Sequence, residues 1–450
     1  MAQPLSAPTQ HINGGQRTAA VIGGGWAGLA AAVALCDAGW HVTLLEMAPQ
    51  LGGRARTLQH GDWTIDNGQH ILIGAYRRTL ALMERVGLDP QVLLKRLPLG
   101  LPDPHGRGLC LQPGPVLPRI VQAVLHQRHW PLTARLGFLA RAATWLRPGA
   151  SVDPTLSVEQ WTAGLSEQAY REVIEPLCVS ALNTPPATAS AGLFLRVLRD
   201  ALLDGPGSAD LLLPTRPLGD LLPHASHAWL QARGATIHLR TRAGLLKRSR
   251  HHWCVDGMDV DAVVLACPPA EAARLVASHD AAWSDTALRL PHAAILTVYV
   301  QWDGAELAHH PMARLENGPA QFVFDHGPLS GRDGLLACVV SAAPAERTDR
   351  VGSRIESEIL SQLQRQLRAP NSASSPRIVA SILEKRATLS CRPGLKRPPS
   401  RIAQGLVAAG DYIEGPYPST LEGAVRSGTE AAGAVVSMAA AESTLSSCRT

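Results

Sequence analysis

VIGGGWAGLAAAVALCDAGWHVTLLEMAPQLGG (Val21–Gly53) reads as a strand, a glycine turn, a helix, a second strand that ends in an acid, and a glycine pair. Gly23, Gly25 and Gly28 form G-x-G-x-x-G directly behind the apolar run Ala19–Ile22, and an alanine-rich helix opens after them. In that context the motif binds an adenine dinucleotide. Gly23 permits the tight turn, Gly25 lets the backbone approach a pyrophosphate, and Gly28 lets helix and strand pack closely. The helix start at Trp26 and Ala27 offers unpaired N–H groups to the anion. Glu46 follows the strand His41–Leu45, 18 residues after Gly28. A carboxylate there accepts hydrogen bonds from an adenosine ribose and favours one without a phosphate.

The next stretch, LGGRARTLQHGDWTIDNGQHILIGAY (Leu51–Tyr76), resembles the glycine-glycine-arginine segment of the amine oxidase and phytoene desaturase superfamily of FAD enzymes. Gly52 and Gly53 give a backbone that can lie against the cofactor, and Arg54 or Arg56 adds a cation beside its two phosphates. GLVAAGDYIEGPYPSTLEGAVRSGTEAAGAVV (Gly405–Val436) is similar to the second flavin motif of that superfamily. The resemblance implies that Gly410 and Asp411 meet the ribitol. It also implies that a helix starting at Thr420, Leu421, Gly423 and Ala424 points N–H groups at the pyrimidine edge of the ring, where a reduced flavin gains negative charge. Mid-chain, Pro214–Arg248 and Asp261–Pro269 look like the superfamily's adenine-side helix and strands, with Ala243 where a valine is usual. The expected fold class is α/β: a discontinuous Rossmann-type FAD-binding domain of the glutathione-reductase kind, plus an α+β substrate domain with a mixed sheet.

A narrower resemblance rests on GGGWAGLAAA, IDNGQHILIGAYRRTL, ALNTPPATASAGLF and GPYPSTLEGAV. These runs resemble the squalene-associated FAD-dependent desaturases, a family of hydroxysqualene dehydroxylases in bacterial hopanoid synthesis. The likeness covers Thr18 to about Val436 and is weakest across Leu97–Val152 and Pro344–Arg401. It implies a hydrophobic polyprenyl substrate, an electron donor that the sequence does not identify, and hydride transfer from reduced FAD to a carbon that loses its allylic hydroxyl as water. Hydroxide is a poor leaving group and needs a proton donor. His70 is the first candidate, followed by Asp66 and Tyr417, with Gly68 and Gln69 beside them on the cofactor. Two alternatives stay open: an oxidative carotenoid or squalene desaturase, and a non-catalytic prenyl-lipid escort module of the Rab escort kind. Only 4 Phe and 5 Tyr weigh against a tyrosine cage for amines.

Composition sets the limits. With 450 residues and 46% hydrophobic content, the chain can bury a large core and is expected to form two domains. The expected division is a disordered leader at 1–17, an FAD domain from 18–88, 205–275 and 400–440, a substrate domain from 89–204 and 276–399, and a tail at 441–450. A net charge of +5 argues against nucleic acid as a partner. Eight scattered cysteines with no C-x-x-C read as reduced cytosolic thiols. No metal site is expected, His251, His252 and Cys254 reading as a solvated strand edge. The expected location is cytoplasmic, with a peripheral seat on the inner face of the cytoplasmic membrane as the further expectation. That expectation comes from Pro104–Val152, which has six arginines and no Asp or Glu. Val116–Val124 and Leu132–Leu146 show helical apolar spacing, and Leu136, Phe138, Leu139, Ala143, Trp145 and Leu146 are the side chains expected to enter an apolar layer.

Overall fold

A computed structural model describes residues 16–249, 252–305, 307, 310–345, 349–367 and 374–447. Most of the predicted leader and the end of the tail lie outside the described residues. Five parallel strands and one antiparallel edge strand form a six-stranded sheet. Its order is Arg401–Ala403, Leu406–Ala408, Ala262–Leu265, Thr18–Ile22, His41–Leu45, Thr236–His238. The chain therefore leaves this sheet twice and comes back, and its centre joins segments from both ends of the sequence. Strand periodicity splits Thr18–Ile22 between two cores. Ala19 and Val21 face a layer that includes the helix Trp26–Asp37 and the closing helix Leu421–Ser447. Ala20 and Ile22 face a layer that includes Trp253, Val260 and Trp283. The two helices of the first layer cross closely because Gly428 has no side chain. A Cβ there would come within 2.1 Å of the Ala27 carbonyl oxygen.

The second sheet is antiparallel, ordered Met312–Arg314, Phe322–Asp325, Leu335–Ala343, His292–Gln301, Arg377–Leu389. The helix Asp349–Gln366 covers one face through Ile359 and Leu363. Tyr299, Phe322 and Phe324 on the other face pack with Ile65 and Leu213. A helical lobe completes the molecule. Its core is a run of ring contacts from Trp130 through Phe138, Trp145 and Trp161 to Phe194.

In this lobe Pro176 does not end the helix that Ser166 caps. The backbone widens into a π-helical turn at Tyr170–Ile174 and continues as Glu175–Leu182, with Pro176 in the first turn of the continuation. A proline is tolerated there because its missing N–H needs no partner. The helix stops at Asn183 instead, whose φ of 45° is left-handed. Phe138 and Trp145 are also no part of an outward apolar layer. They are 6% and 7% exposed and form the lobe's core, Leu139 and Leu146 are half-buried, and only Leu136 and Ala143 face out.

Candidate functional site

A cavity of about 660 Å³ runs between the first sheet and the second. One end is made mostly of backbone. Gly23 sits at φ 111°, and a Cβ on it would lie 2.5 Å from the Ala266 oxygen; one on Gly28 would lie 1.9 Å from the Gly23 oxygen. Both glycines are required by the protein's own packing. Gly25 differs: a Cβ there would meet nothing nearer than the Gly53 Cα at 3.7 Å, and both residues line the cavity. Gly25 precedes the first helical residue without a side-chain cap, so the helix N–H groups of that turn face the cavity side without intrahelical partners. Glu46 is 7% exposed; its carboxylate accepts from Gly24 N at 2.6 Å and from Ala48 N at 2.7 Å. Thr241 and Ala243 complete this end. Arg274 donates to the carbonyls of Ala243 and Gly244, and Glu271 pairs with Arg242.

The two predicted flavin motifs meet across the cavity. Arg54 forms a salt bridge with Asp411, which is 8% exposed, and donates to the Ala387 carbonyl at 2.7 Å. The guanidinium thus joins two chain segments rather than standing as a free cation. Arg56 lines the cavity and donates to the Gly53 carbonyl. Gly410, Thr420, Leu421 and Ala424 line it as well, whereas Gly423 packs against the Tyr417 carbonyl behind the helix start. Trp26 and Ala27 line it too, the Trp26 indole donating to the Ala55 carbonyl. Glu422, 1% exposed, turns away from the cavity; its carboxylate accepts from the backbone N–H groups of Arg78 and Thr79 and from the Thr79 hydroxyl. One buried carboxylate thereby locks the closing helix to the start of the helix Arg77–Arg85, just beyond the Asp66–Tyr76 loop.

At the other end the lining consists of side chains. His70, His292, Glu384, Arg386, Leu58 and Leu389 converge here. Asn67 donates to Glu384 at 3.1 Å and to the Arg54 carbonyl at 3.0 Å. His70 Nδ1 lies 3.1 Å from the Gly68 carbonyl. A carbonyl only accepts, so Nδ1 carries the proton and Nε2 is the nitrogen left to exchange one. Burial, and secondarily the positive charge of Arg54, lowers the His70 pKa below the usual imidazole value. His292 is lowered as well, by burial first and then by Arg54 and Arg386.

Of the predicted residues, Asp66, Gly68, Gln69 and Tyr417 fall outside this lining, as Gly28 and Gly423 do. Asp66 and Gln69 line a separate cavity of about 30 Å³ with Tyr299, His326 and Arg332. Asp66 accepts from Thr57 Oγ1 at 2.9 Å and Leu218 N at 3.0 Å, bonds that brace its hairpin outside the large cavity. Burial raises its pKa from 3.8 to about 6. The strand ends at Asp66 and the backbone turns at Gly68, φ 116°, so strand alternation does not run on to Gln69 and His70, which line different cavities. Tyr417 is not among the cavity's lining residues. Its ring lies beneath Arg426 and Arg196, bridging the closing helix and the helix Ala191–Leu203. Gly68, at φ 116°, carries the Asn67–His70 turn and does not itself line the large cavity. Sequence reasoning missed His292, Glu384 and Arg386. A signal for two of them existed in the charges of RIVASILEKRATL, which interrupt an otherwise apolar strand.

These residues fit FAD. The cavity joins a phosphate-binding helix start, a buried acid at the end of the second strand, and a second helix start. The buried Tyr412 hydroxyl, in the same lining, has no hydrogen-bond partner among the described residues. Among the described residues no group of three His, Cys, Asp or Glu could hold a metal ion. His252 faces Asp259 at 3.3 Å, and His251 lies outside the described residues. The seven described cysteines are unpaired.

Residues 26–436 match the family of flavin containing amine oxidoreductases. The chain is 26% identical to a hydroxysqualene dehydroxylase of Sinorhizobium fredii over 92% of its length and 96% of that protein's. It is 28% identical to one of Rhodopseudomonas palustris over 93% and 98%. A 15-cis-phytoene desaturase of Glycine max is 25% identical over 92% of this chain and 79% of its own. In fold, an oxidoreductase from Methanosarcina mazei superposes with a TM-score of 0.69 at 18% identity, over 92% of this chain and 99% of that one. A putrescine oxidase variant gives 0.65 at 18% identity, over 94% and 99%. The chain belongs to the flavin containing amine oxidoreductase family and is an FAD-dependent oxidoreductase.

Proposed function

We propose that the protein reductively removes an allylic hydroxyl from a polyprenyl chain, converting hydroxysqualene to squalene. The observation that carries this reading is the end-to-end similarity to hydroxysqualene dehydroxylases, which spans nearly the whole of both chains. The desaturase relative matches across a smaller share of its own length. When bound and reduced, FAD supplies the hydride that replaces the hydroxyl. The residues Gly25, Glu46, Gly53, Arg56, Asp411 and Thr420 would hold it along the seam. The chain supplies the rest. The carbon–oxygen bond breaks with gain of one proton at oxygen, so alcohol, hydride and proton become alkene chain and water.

His70 is the residue assigned to that proton. Its Nδ1–H is fixed on Gly68, so Nε2 takes the proton from solvent and gives it to the hydroxyl. A lowered pKa makes the imidazolium a stronger acid while leaving less of it at neutral pH. Activity then falls as pH rises through the His70 pKa, on the acid side of the usual histidine range. An oxidative desaturase is the second reading, favoured by the same lowered pKa. There His70 acts as neutral base, and activity rises with pH through that value. Anaerobic incubation of the flavin-reduced protein with hydroxysqualene, and of the oxidised protein with squalene, followed by product analysis, separates the two. Squalene formed from hydroxysqualene supports the first reading. No product there, with a new double bond in the second incubation, overturns it. A substrate this apolar is drawn from lipid, so the protein would work beside a membrane although no described helix is long and apolar enough to cross one.

A further inference from the structure

Surface helices ordinarily turn polar residues to water, and the helix Asp349–Gln366 does so with Arg354 and Glu358. The neighbouring pair Val116–Leu125 and Leu132–Trp145 reverses the pattern. Leu117, Val121 and Leu125, at successive i, i+4 positions, are 44%, 44% and 40% exposed. Leu132 and Leu136 on the second helix are 58% and 53% exposed. At 100° per residue the outward arc of this second helix continues through Gly137, Ala140 and Ala143, all exposed, and holds no charge. Arg135 and Arg141 stand on its two borders. The inward sides are already filled: Ala123 and Val124 of the first helix and Phe138 and Trp145 of the second lie in the lobe's core.

The charge around this face is one-sided. Among the described residues none of the six arginines of Pro104–Val152 makes a salt bridge. Arg119 instead donates to Gln122, Arg135 to the Leu125 carbonyl, and Arg141 to the carbonyls of Trp161 and Ala163. The nearby carboxylate of Glu172 is taken by His129 and Trp130. An apolar arc rimmed by unneutralised guanidinium groups matches one partner chemistry, an acyl layer beneath anionic headgroups. The aliphatic side chains enter the layer and the arginines reach its phosphates.

We propose that the outward face of these two helices seats the protein on an anionic lipid bilayer. The proposal rests on this surface and not on the reaction assigned above. It is tested by vesicle flotation of the full-length holoprotein. Binding is expected to phosphatidylglycerol–phosphatidylcholine vesicles, to weaken with salt, and to be far lower with phosphatidylcholine alone. Leu117→Ser, Val121→Ser and Leu136→Ser together should abolish it while the protein stays folded by circular dichroism, since none of these side chains belongs to the lobe's core. Arg128→Gln with Arg147→Gln, two exposed residues, should lower the partition coefficient about 25-fold, roughly 5-fold for each charge. Wild-type protein that stays unbound on both vesicle types overturns the proposal, as does a triple serine variant that binds like wild type. So does a wild-type dimer in light scattering that the serine variant converts to monomer, because the face is then a contact between copies.

Discussion

At the dinucleotide end of the cavity most of the lining comes from one short stretch, Gly23 to Glu46, completed by Thr241 and Ala243, and it is mainly backbone N–H groups and glycine faces. At the reactive end they are side chains from three separate stretches: His70 from a loop, His292 from the start of one strand, and Glu384 and Arg386 from the bulged strand beside it. The first end recognises an anion that is the same in every dinucleotide, so local turn geometry suffices. The second must fit a particular substrate, and its geometry depends on the register of a sheet formed late in the sequence. Substitutions should therefore act differently at the two ends.

The largest effects separate glycines that serve the protein from the one that serves the cofactor. Gly28→Val drives a side chain into the Gly23 carbonyl and should leave no soluble folded protein. Gly25→Val meets only open cavity and Gly53; it should fold with an unchanged circular dichroism spectrum and lose FAD. Equal flavin retention in both, or equal misfolding, would erase the distinction. At the reactive end His70→Gln keeps a side chain able to bond the Gly68 carbonyl but cannot deliver the proton. The drop expected in kcat is about 100-fold with flavin content intact and the pH dependence flattened. Unchanged kcat would remove His70 from the proton transfer.

Two smaller effects test the ties between the ends. Glu422→Ala strips three donors at the start of Arg77–Arg85 of their acceptor. A loss of about 3 kcal/mol should appear in urea denaturation, and a change under 1 kcal/mol would show that the carboxylate does not join these helices. Asp66→Asn can keep both bonds at its oxygen while removing the ionisation. Because the folded pKa is raised, from 3.8 to about 6, the native state binds the proton more tightly than the unfolded chain. Stability from this group is present at low pH and is lost as pH rises through that window. The variant should match wild type near pH 4 and melt a few degrees higher at pH 7. A melting difference that does not change with pH would contradict the assignment.

Much of the fold was legible because its signals are local. The strand His41–Leu45 with Glu46 behind it and the helix start at Leu421 are both written within a few residues. What stayed hidden depends on distant neighbours. Helical spacing put Leu136 and Phe138 in one expected outward layer, although about 200° separates them on the helix; Phe138 instead packs between Trp130 and Trp145 in the core. The π turn before Pro176 has no short-range signature. Tyr417 sits two positions from cavity-lining Ser419, yet stacks under Arg196 of the helix Ala191–Leu203. Asp66 and His70 are four residues apart and open into different cavities.

The central claim is that both ends of the chain together form one FAD seam whose glycine face at Gly25 is reserved for the cofactor. It is tested most directly by the flavin released on denaturation of wild-type protein and of Gly25→Val, each compared with its circular dichroism spectrum. The account predicts stoichiometric FAD in the first and none in the second, with the same folded spectrum. A folded wild-type protein that is colourless and takes up no FAD on reconstitution, or a Gly25→Val protein that keeps its full complement, would contradict it.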